Sequence, residues 1–255
     1  MKVLFVKEKA LVIVAIIVAV VLVVLMNNNS IVVGATYFIK DRKLPIYSVE
    51  TQENKLSISF DAAWGADKTS EIMDVCDSYG VKATFFLVGF WVEEYPEKVK
   101  EIYNRGFEIG LHSNTHPDMT KLNKQDMEME LKTNIELIET LTSFRPTLFR
   151  PPYGYYNNDL IDVCESLGVT CIQWSVDSLD WKGYLASDVA GRVTEKAKQG
   201  SIILCHNKSD YIINATKMIL QHFKQTDMRV VPIGDLIYTS NYKIDSRGTQ
   251  IKLDK

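Results

Sequence analysis

Strand-like and helix-like segments alternate along this chain from Lys55 to Ile233, and this alternation restricts the fold more than any other feature of the sequence. Short runs of β-branched and aromatic residues predict about seven strands, and amphipathic segments between them predict helices. Alternating units of this kind build a parallel sheet with right-handed crossovers. We therefore expect an α/β fold, a distorted (β/α) barrel of about seven parallel strands, with a doubly wound open sheet as the alternative.

Glycine and proline mark several boundaries of the predicted elements. A side-chain cap from Asp67 or Thr69 is expected for the first helix. The predicted strands cover residues 56–60, 83–88, 107–111, 148–149, 169–176, 201–205 and 229–233. The predicted helices cover residues 69–79, 96–104, 123–141, 157–167, 186–198 and 211–223.

The N-terminal segment is unlike the rest of the chain, because an unbroken apolar run covers residues 10–26 and follows three lysines. Its length of about 17 residues is at the short end for a membrane-spanning helix. Positive charge before the run keeps the N-terminus in the cytoplasm. We expect an uncleaved single-pass anchor in the cell membrane with the following domain outside the cytoplasm; a cleaved signal peptide is the alternative. The expected parts are a cytoplasmic stub and transmembrane anchor at 1–30, a linker and entry segment at 31–54, one folded domain at 55–240 and a C-terminal tail at 241–255.

Chemically active side chains follow the predicted strands, at the sheet edge where active sites of α/β proteins form. His112 and His116 lie four residues apart on the loop after the third strand. Neutral imidazole is the commonest metal ligand, and two on one loop can bind a single ion if a third ligand comes from elsewhere. The other residues at strand ends are Asp61, Arg150, Asp177, Asp180 and His206.

These residue types together form a hydrolytic set. A bound metal would polarise a carbonyl group and lower the pKa of its water. Asp61 could accept a proton from the water, and His206 could protonate the leaving group. Arg150 could keep Asp61 ionised, and Asp180 could hold His206 as the imidazolium. The alternatives are that Asp61 caps a turn, that Arg150 forms a structural ion pair and that Asp180 is a turn residue.

Composition excludes one class of partner and limits the role of cysteine. The formal net charge is −3, and without a basic patch we expect no nucleic-acid partner. The cysteines have no C-x-x-C spacing, so we interpret them as small buried hydrophobic residues rather than a zinc site. A disulfide between Cys164 and Cys171 is the alternative in an oxidising compartment.

Five motifs occur in order within about Lys55 to Tyr238. They are Phe60-Asp61, His112-Ser113-Asn114-Thr115-His116, Arg150-Pro151-Pro152-Tyr153-Gly154, Asp177-Ser178-Leu179-Asp180-Trp181 and Leu204-Cys205-His206. In these motifs the chain resembles the NodB-type polysaccharide deacetylases (carbohydrate esterase family 4), and most of all the membrane-anchored sporulation proteins of the PdaB type. The resemblance implies a (β/α) barrel and metal-dependent removal of acetyl groups from N-acetylated glycan, with peptidoglycan as the expected partner.

The resemblance also implies catalytic roles, position by position. Asp61 matches the family's catalytic base, and Arg150 matches the arginine that orients it. His206 matches the catalytic acid, and Asp180 the carboxylate that tunes it. The backbone N–H of Tyr153 is expected to help hold the oxyanion.

Metal and substrate positions follow from the same resemblance. His112 and His116 match the two metal histidines, and the expected divalent metal is zinc, with cobalt or manganese as alternatives. Trp181 and Tyr153 are expected to contact substrate in the groove. Leu204 is expected to form an apolar wall of the acetyl pocket.

The chain departs from the family pattern at Ala62. The family's first motif usually has two adjacent aspartates, and the second binds the metal. Alanine has no donor atom, so the metal would keep only two protein ligands. Asp61 could turn towards the metal or Asp67 could replace the missing ligand, and Asn207 is a milder change where the family often has aspartate. The alternative to an enzyme is therefore a non-catalytic glycan-binding protein.

Overall fold

The computed structural model describes residues 42–253 of the chain. The chain divides after Lys43, and the elements below belong to the unit Leu44–Lys255. Between residues 42 and 253, no helix is both long enough and apolar enough to cross a bilayer. The apolar run 10–26, and the membrane anchor predicted from it, lie outside the described residues.

Short strands and longer helices alternate through this unit. The strands are β1 (Ser48–Val49), β2 (Lys55–Ala62), β3 (Thr84–Leu87), β4 (Glu108–Leu111), β5 (Leu148–Phe149), β6 (Thr170–Cys171), β7 (Val176–Asp177), β8 (Ile202–His206), β9 (Arg229–Val230), β10 (Tyr242–Ile244) and β11 (Thr249–Lys252). The helices are α1 (Thr69–Ser78), α2 (Gly89–Glu94), α3 (Pro96–Asn104), α4 (Lys124–Thr142), α5 (Asn158–Ser166), α6 (Ala186–Lys196), α7 (Ile212–Gln225) and α8 (Ile233–Leu236). Short 3₁₀ turns cover Met119–Lys121, Pro152–Gly154 and Asp180–Lys182.

The six helices predicted from the sequence are confirmed to within two residues at each end, and α2 and α8 were not predicted. Asn123 and Asn157 cap α4 and α5, since each side chain accepts a hydrogen bond from a backbone N–H in the first turn. The predicted cap of α1 is wrong. Its N-cap residue is Lys68, which has no side-chain cap, and the Thr69 hydroxyl is buried within 3.3 Å of Asn207 Nδ2.

The main sheet is parallel, with the strand order β6-β5-β4-β3-β2-β8-β7 and with β9 beside the start of β2. The single strand predicted at 169–176 is wrong. It is two strands, β6 and β7, which lie at opposite edges of the sheet. The backbone between them changes partners: Gln173 N–H donates to Ile46, and Ser175 N–H donates to Ile202. An apolar run alone does not show where a chain leaves one strand and joins another.

This connection explains why the sheet curls. Seven flat strands would place the outer two about 29 Å apart at the usual spacing. Residues 172–175 can span only about 18 Å from β6 to β7. The two edges must therefore approach each other, and the result is a curled parallel half-barrel, which agrees with the predicted distorted barrel.

Two apolar cores lie on the two faces of the curled sheet. The outer core lies between the strands and the helices, and it includes Ile58, Phe60 and Ala62 from β2. The inner core contains Phe86, with Ile46, Leu148, Ile172 and Ile202 around it. Gly110 is required here, because a Cβ at that position would lie 2.5 Å from the Phe86 ring.

The C-terminal region adds a second, three-stranded sheet in the order β1-β11-β10. β10 and β11 are antiparallel and lie in the segment predicted to be a tail. The last predicted strand, 229–233, is shorter than expected. It ends at Val230, because Pro232 is the N-cap of α8 and Ile233 begins that helix. All four cysteines are buried.

Candidate active site

The site is built at the carboxyl-terminal ends of the parallel strands. Asp61 and His206 are direct partners on the adjacent strands β2 and β8. Side chains alternate between the two faces of a strand, so Asp61 points to the face opposite Phe60. This register brings a carboxylate and an imidazole to the same edge of the sheet.

Asp61 forms a buried ion pair with Arg150, the residue that follows β5. Arg150 Nη1 donates to Asp61 Oδ1 at 2.7 Å, and Arg150 is completely buried. Its other Nη donates to the Gln173 carbonyl at 3.2 Å, and the guanidinium carbon lies 4.2 Å from the centre of the Phe86 ring. Burial raises the pKa of Asp61, but the charge and hydrogen bond of Arg150, together with the neighbouring histidines, outweigh burial and hold the pKa below its ordinary value. Asp61 is therefore a carboxylate at neutral pH.

His112 is oriented by the same segment that supplies Arg150. Its Nδ1 lies 2.7 Å from the Arg150 carbonyl oxygen, and since a carbonyl only accepts, Nδ1 carries the proton. Its Nε2 then has a lone pair and lies 3.6 Å from Asp61 Oδ2. Burial lowers the pKa of His112 below its ordinary value. This neutral tautomer is the one that metal-binding histidines adopt when a carbonyl orients them.

His116 lies on a tightly held loop after β4. Glu130 of α4 accepts hydrogen bonds from the backbone N–H groups of Asn114 and Thr115, both at 2.8 Å. Ser113 Oγ accepts from the His116 N–H at 3.0 Å. The loop packs so closely on α2 that a Cβ at Gly89 would lie 2.0 Å from the Asn114 side chain.

The His116 ring contacts the His112 ring, with centroids 5.0 Å apart. Its Nδ1 is buried and has no hydrogen-bond partner among the described residues. Burial lowers the pKa of His116 to about 4. A buried imidazole nitrogen without a hydrogen-bond partner or a ligand destabilises the folded state.

His206 is held by the carboxylate of Asp180. Asp180 Oδ1 lies 2.8 Å from His206 Nδ1, and Oδ2 accepts from the His206 backbone N–H at 2.7 Å. Burial lowers the pKa of His206, but the hydrogen bond and the charge of Asp180 outweigh burial and raise it above its ordinary value. Asp180 is almost fully buried, so the pair favours an imidazolium with Nε2 as its remaining donor.

The other predicted site residues lie around these two pairs. Tyr153 is exposed, and its ring centroid is 4.8 Å from that of His116. Trp181 is exposed, and its backbone N–H donates to Asp180 Oδ1. Leu204 is buried in β8 and, two residues before His206, lies on the same face of that strand. The structure thus brings the predicted site residues together as two neighbouring groups, which meet where Asp61 and His206 are partners on adjacent strands. The first group is Asp61, His112, His116, Arg150 and Tyr153, and the second is Asp180, Trp181, Leu204 and His206.

Backbone strain is concentrated in the loops of the site. Four residues with side chains have φ values between 55° and 64°: Ser113, His116, Tyr153 and Leu179. Such values are uncommon for residues with a side chain, and they persist at sites where the surrounding structure enforces them. The strained positions follow β4, β5 and β7, the strands that carry three of the five motifs.

The histidine pair fits a weakly held metal ion but not a tightly held one. His112 is in the tautomer that leaves Nε2 free to bind a metal, and the buried Nδ1 of His116 has no hydrogen-bond partner among the described residues. Ala62 is fully buried and offers no donor atom, and Asp67 lies exposed near Gly65. Within residues 42–253, no group of three or more His, Cys, Asp or Glu side chains is arranged to hold a metal. Divalent metals in proteins usually have three or more protein ligands.

Sequence reasoning missed three residues that shape this site. Glu130 is one of many charged residues on α4, and only the fold shows that it holds the histidine loop. Gln173 accepts from Arg150 and donates to the Gly154 carbonyl. Trp64 is exposed, with its ring centroid 5.2 Å from that of His116. A tryptophan three residues after Asp61 was the sequence signal that could have identified the last of these.

The chain is similar to known proteins over this domain. The sequence profile of the family described as polysaccharide deacetylase matches residues 48–172. A peptidoglycan-N-acetylglucosamine deacetylase of Bacillus cereus is 30% identical over 190 residues, which are 73% of this chain and 69% of that protein. The deacetylase PgdA of Listeria monocytogenes is 30% identical over 204 residues, which are 80% of this chain but 43% of that protein.

Solved structures give the same result. A peptidoglycan N-acetylglucosamine deacetylase has a TM-score of 0.74 at 29% identity, covering 76% of this chain and 93% of that one. A carbohydrate esterase family 4 pseudoenzyme from Bacillus anthracis has a TM-score of 0.73 at 29% identity, covering 75% and 68%. A mutant of such a pseudoenzyme, described as having restored enzymatic activity, has a TM-score of 0.73 at 31% identity, covering 75% and 70%.

Proposed function

Because this chain belongs to the polysaccharide deacetylase family, whose members are hydrolases of amide bonds, we propose that it removes acetyl groups from N-acetylated cell-wall glycan. The observation that carries the proposal is the pair of oppositely tuned groups on adjacent strands. Arg150 helps to hold the pKa of Asp61 below its ordinary value, and Asp180 helps to hold the pKa of His206 above its ordinary value. A base and an acid whose pKa values are driven apart in this way are typical of a hydrolytic site.

The proposed reaction divides the two proton transfers between the two groups. Asp61 accepts a proton as water attacks the carbonyl carbon of the acetyl group, and a C–O bond forms. The C–N bond then breaks, His206 donates a proton to the amine nitrogen, and acetate leaves. The backbone N–H of Tyr153 is proposed to stabilise the oxyanion, and buried Leu204 to line the pocket for the acetyl methyl group.

Deacetylases of carbohydrate esterase family 4 generally depend on a divalent metal. In this chain His112 and His116 are the residues that would hold it, and zinc suits imidazole ligands. When bound, the metal would supply a Lewis acid that polarises the acetyl carbonyl. The Arg150 carbonyl orients His112 for that role, and Glu130 fixes the loop that carries His116.

The pH dependence of acetate release tests the role of His206. His206 must be protonated to act as the acid, so kcat is expected to fall as the pH rises through its raised pKa. Replacing Asp180 with asparagine removes the charge that raises this pKa, and burial then lowers it. The alkaline limb of the kcat profile is therefore expected to move to lower pH in Asp180→Asn. An alkaline limb at the same pH in both proteins would contradict the assignment of His206 as the acid.

A non-catalytic glycan-binding protein is the second candidate, and one observation favours it. Ala62 is buried and has no donor atom where the family usually supplies a metal-binding aspartate. The similar Bacillus anthracis protein is described as a pseudoenzyme. In this case the chain would bind N-acetylated glycan with the same groove and release no acetate with any added metal.

The proposal includes a place in the cell. The apolar run 10–26 with lysines before it supports a membrane anchor with the catalytic domain outside the cytoplasm. Resemblance of the first motif to that of sporulation-type relatives supports a role in sporulation. Protease added to intact protoplasts is expected to degrade the domain and spare a cytoplasmic control protein. A domain that is degraded only after the protoplasts are lysed would contradict this topology.

A further inference from the structure

Two buried cysteines lie in the same part of the outer core, and the proposed reaction uses neither of them. Cys164 is in the last turn of α5, and Cys171 ends β6. They are 1% and 5% exposed, and the structure holds both as free thiols. Cys171 is the strand partner of Phe149 and packs with it in the core beneath the helices. The two thiols therefore lie on the face of the sheet that carries α5.

The turn between α5 and β6 directs these two side chains towards each other. The Gly168 N–H donates to the Glu165 carbonyl at 3.1 Å, and the Val169 N–H donates to the Cys164 carbonyl at 2.9 Å. These two bonds are those of a Schellman motif, and Gly168 has the positive φ, +68°, that the motif requires. Val169 is thus held against the last turn of the helix. Cys171 is two residues further along the extended chain, so its side chain points to the same side as that of Val169.

The two thiols also interact directly. A hydrogen bond to Cys171, together with burial, raises the pKa of Cys164 well above its ordinary value. Cys76 of α1 is just as buried, but the charged group with the largest effect on its thiol is Asp77. Burial alone therefore does not pair cysteines in this domain, and the turn after α5 does.

We propose that Cys164 and Cys171 are a disulfide-forming pair, which joins α5 to β6 when the chain meets an oxidant of the disulfide class. One thiol loses its proton, and the thiolate attacks a sulfur atom of the oxidant. A mixed disulfide forms, and one thiolate of the oxidant leaves. The second cysteine, also as a thiolate, attacks the sulfur of the first, and the second thiolate of the oxidant leaves. The chain loses two electrons and gains one S–S bond, and the oxidant is reduced to two thiols.

The bond fastens the edge of the sheet that positions Arg150. The Ile172 N–H donates to the carbonyl of Phe149 at 2.8 Å, and Arg150 is the next residue. The carbonyl of Gln173, two residues after Cys171, accepts from Arg150 at 3.2 Å. Disulfides form and persist outside the cytoplasm, which is the location proposed for this domain. The pairing itself rests on the turn and is independent of the proposed activity.

Peptide mapping of the full-length chain in detergent tests the pairing. The chain is incubated with oxidised glutathione just below its Tm, where buried segments open transiently. Free thiols are then blocked with N-ethylmaleimide in denaturant. Cleavage by a glutamate-specific protease after Glu165 separates Cys164 from Cys171 along the chain. The two peptides are expected to stay joined until dithiothreitol is added, with Cys76 and Cys205 blocked by N-ethylmaleimide. Peptides that separate without reductant, or a bond between any other pair, would overturn the proposal.

Thermal unfolding tests whether the bond stabilises the domain. Oxidation is expected to raise the Tm of the wild-type chain by about 5–10 °C, because a short closed loop constrains the unfolded chain. Dithiothreitol is expected to reverse the rise, and Cys171→Ala to lack it. Cys76→Ala is the matched control, since it also removes a buried thiol, and it is expected to keep the rise. Comparing the oxidised and reduced forms of each variant removes the cost of the substitution itself. A rise of the same size in Cys171→Ala, or no rise in the wild-type chain, would contradict the stabilising role.

Discussion

Replacing His206 with alanine is expected to lower kcat for acetate release by about 10²–10⁴-fold, the usual contribution of a positioned general acid. The physical reason is that the amine leaving group departs slowly without a proton. His206 is the group at the site whose pKa is held above its ordinary value. Affinity for the glycan is expected to change little, because Tyr153, Trp181 and the Asp61–Arg150 pair remain in place.

The fourth histidine of the chain provides a matched control. His222 lies on α7, where its ring packs beside Phe223, away from the strand ends. His222→Ala is expected to release acetate at the wild-type rate. The measurement is a continuous acetate assay on the full-length chain with the β-1,4-linked N-acetylglucosamine tetramer. Acetate release by His206→Ala at the wild-type rate would show that another group protonates the amine.

Replacing Ala62 with aspartate is expected to change metal binding and stability together. Ala62 is fully buried at the end of β2, so a carboxylate there stays largely out of water. Without a metal, an unpaired buried charge costs several kcal/mol, of the order seen when buried ion pairs are broken. With zinc at about 100 times its Kd, binding returns about 2.7 kcal/mol. The variant is therefore expected to have a lower Tm than wild type without metal and a larger rise in Tm with zinc.

Ala63→Asp controls for the added charge alone, since Ala63 is the next residue and is also buried. It is expected to lower Tm without gaining a response to zinc. The measurements are thermal unfolding with and without zinc, and zinc content by mass spectrometry after gel filtration. If zinc raises the Tm of the wild-type chain as much as that of Ala62→Asp, the wild-type site already has a complete set of ligands. The two-histidine account of the metal site would then be wrong.

Periodicity and strand-end residues predicted much of the fold and the neighbourhood of the site. The parallel sheet and six helices follow from local patterns that tertiary contacts do not override. The pattern failed at 169–176, because hydrophobicity records that a segment is buried but not which strand it pairs with. The predicted cap of α1 also failed. The N-cap residue is Lys68, which has no side-chain cap, and the Thr69 hydroxyl accepts a hydrogen bond from Asn207.

The sequence did not predict the detailed geometry of the site, for a different reason. The sequence predicted that Arg150 pairs with Asp61 and that Asp180 pairs with His206, and the structure shows both contacts. How close the two pairs lie to each other depends on the register of β2 with β8, which the sequence does not show. The support from Glu130 comes from a helix surface, where charged residues usually face solvent. Exposure of Trp64 also depends on hydrogen bonds to the Gly65 carbonyl, which join distant segments of the chain.

Mass spectrometry of the glycan product tests the central claim most directly. The full-length wild-type chain would be incubated with the N-acetylglucosamine tetramer and, separately, with purified peptidoglycan, each with zinc, cobalt or manganese. We expect loss of acetyl groups with release of one acetate for each free amine formed, and no loss with Asp61→Asn. Glycan that stays fully acetylated with every metal, although it binds the chain, would contradict the deacetylase account and favour the non-catalytic glycan-binding protein.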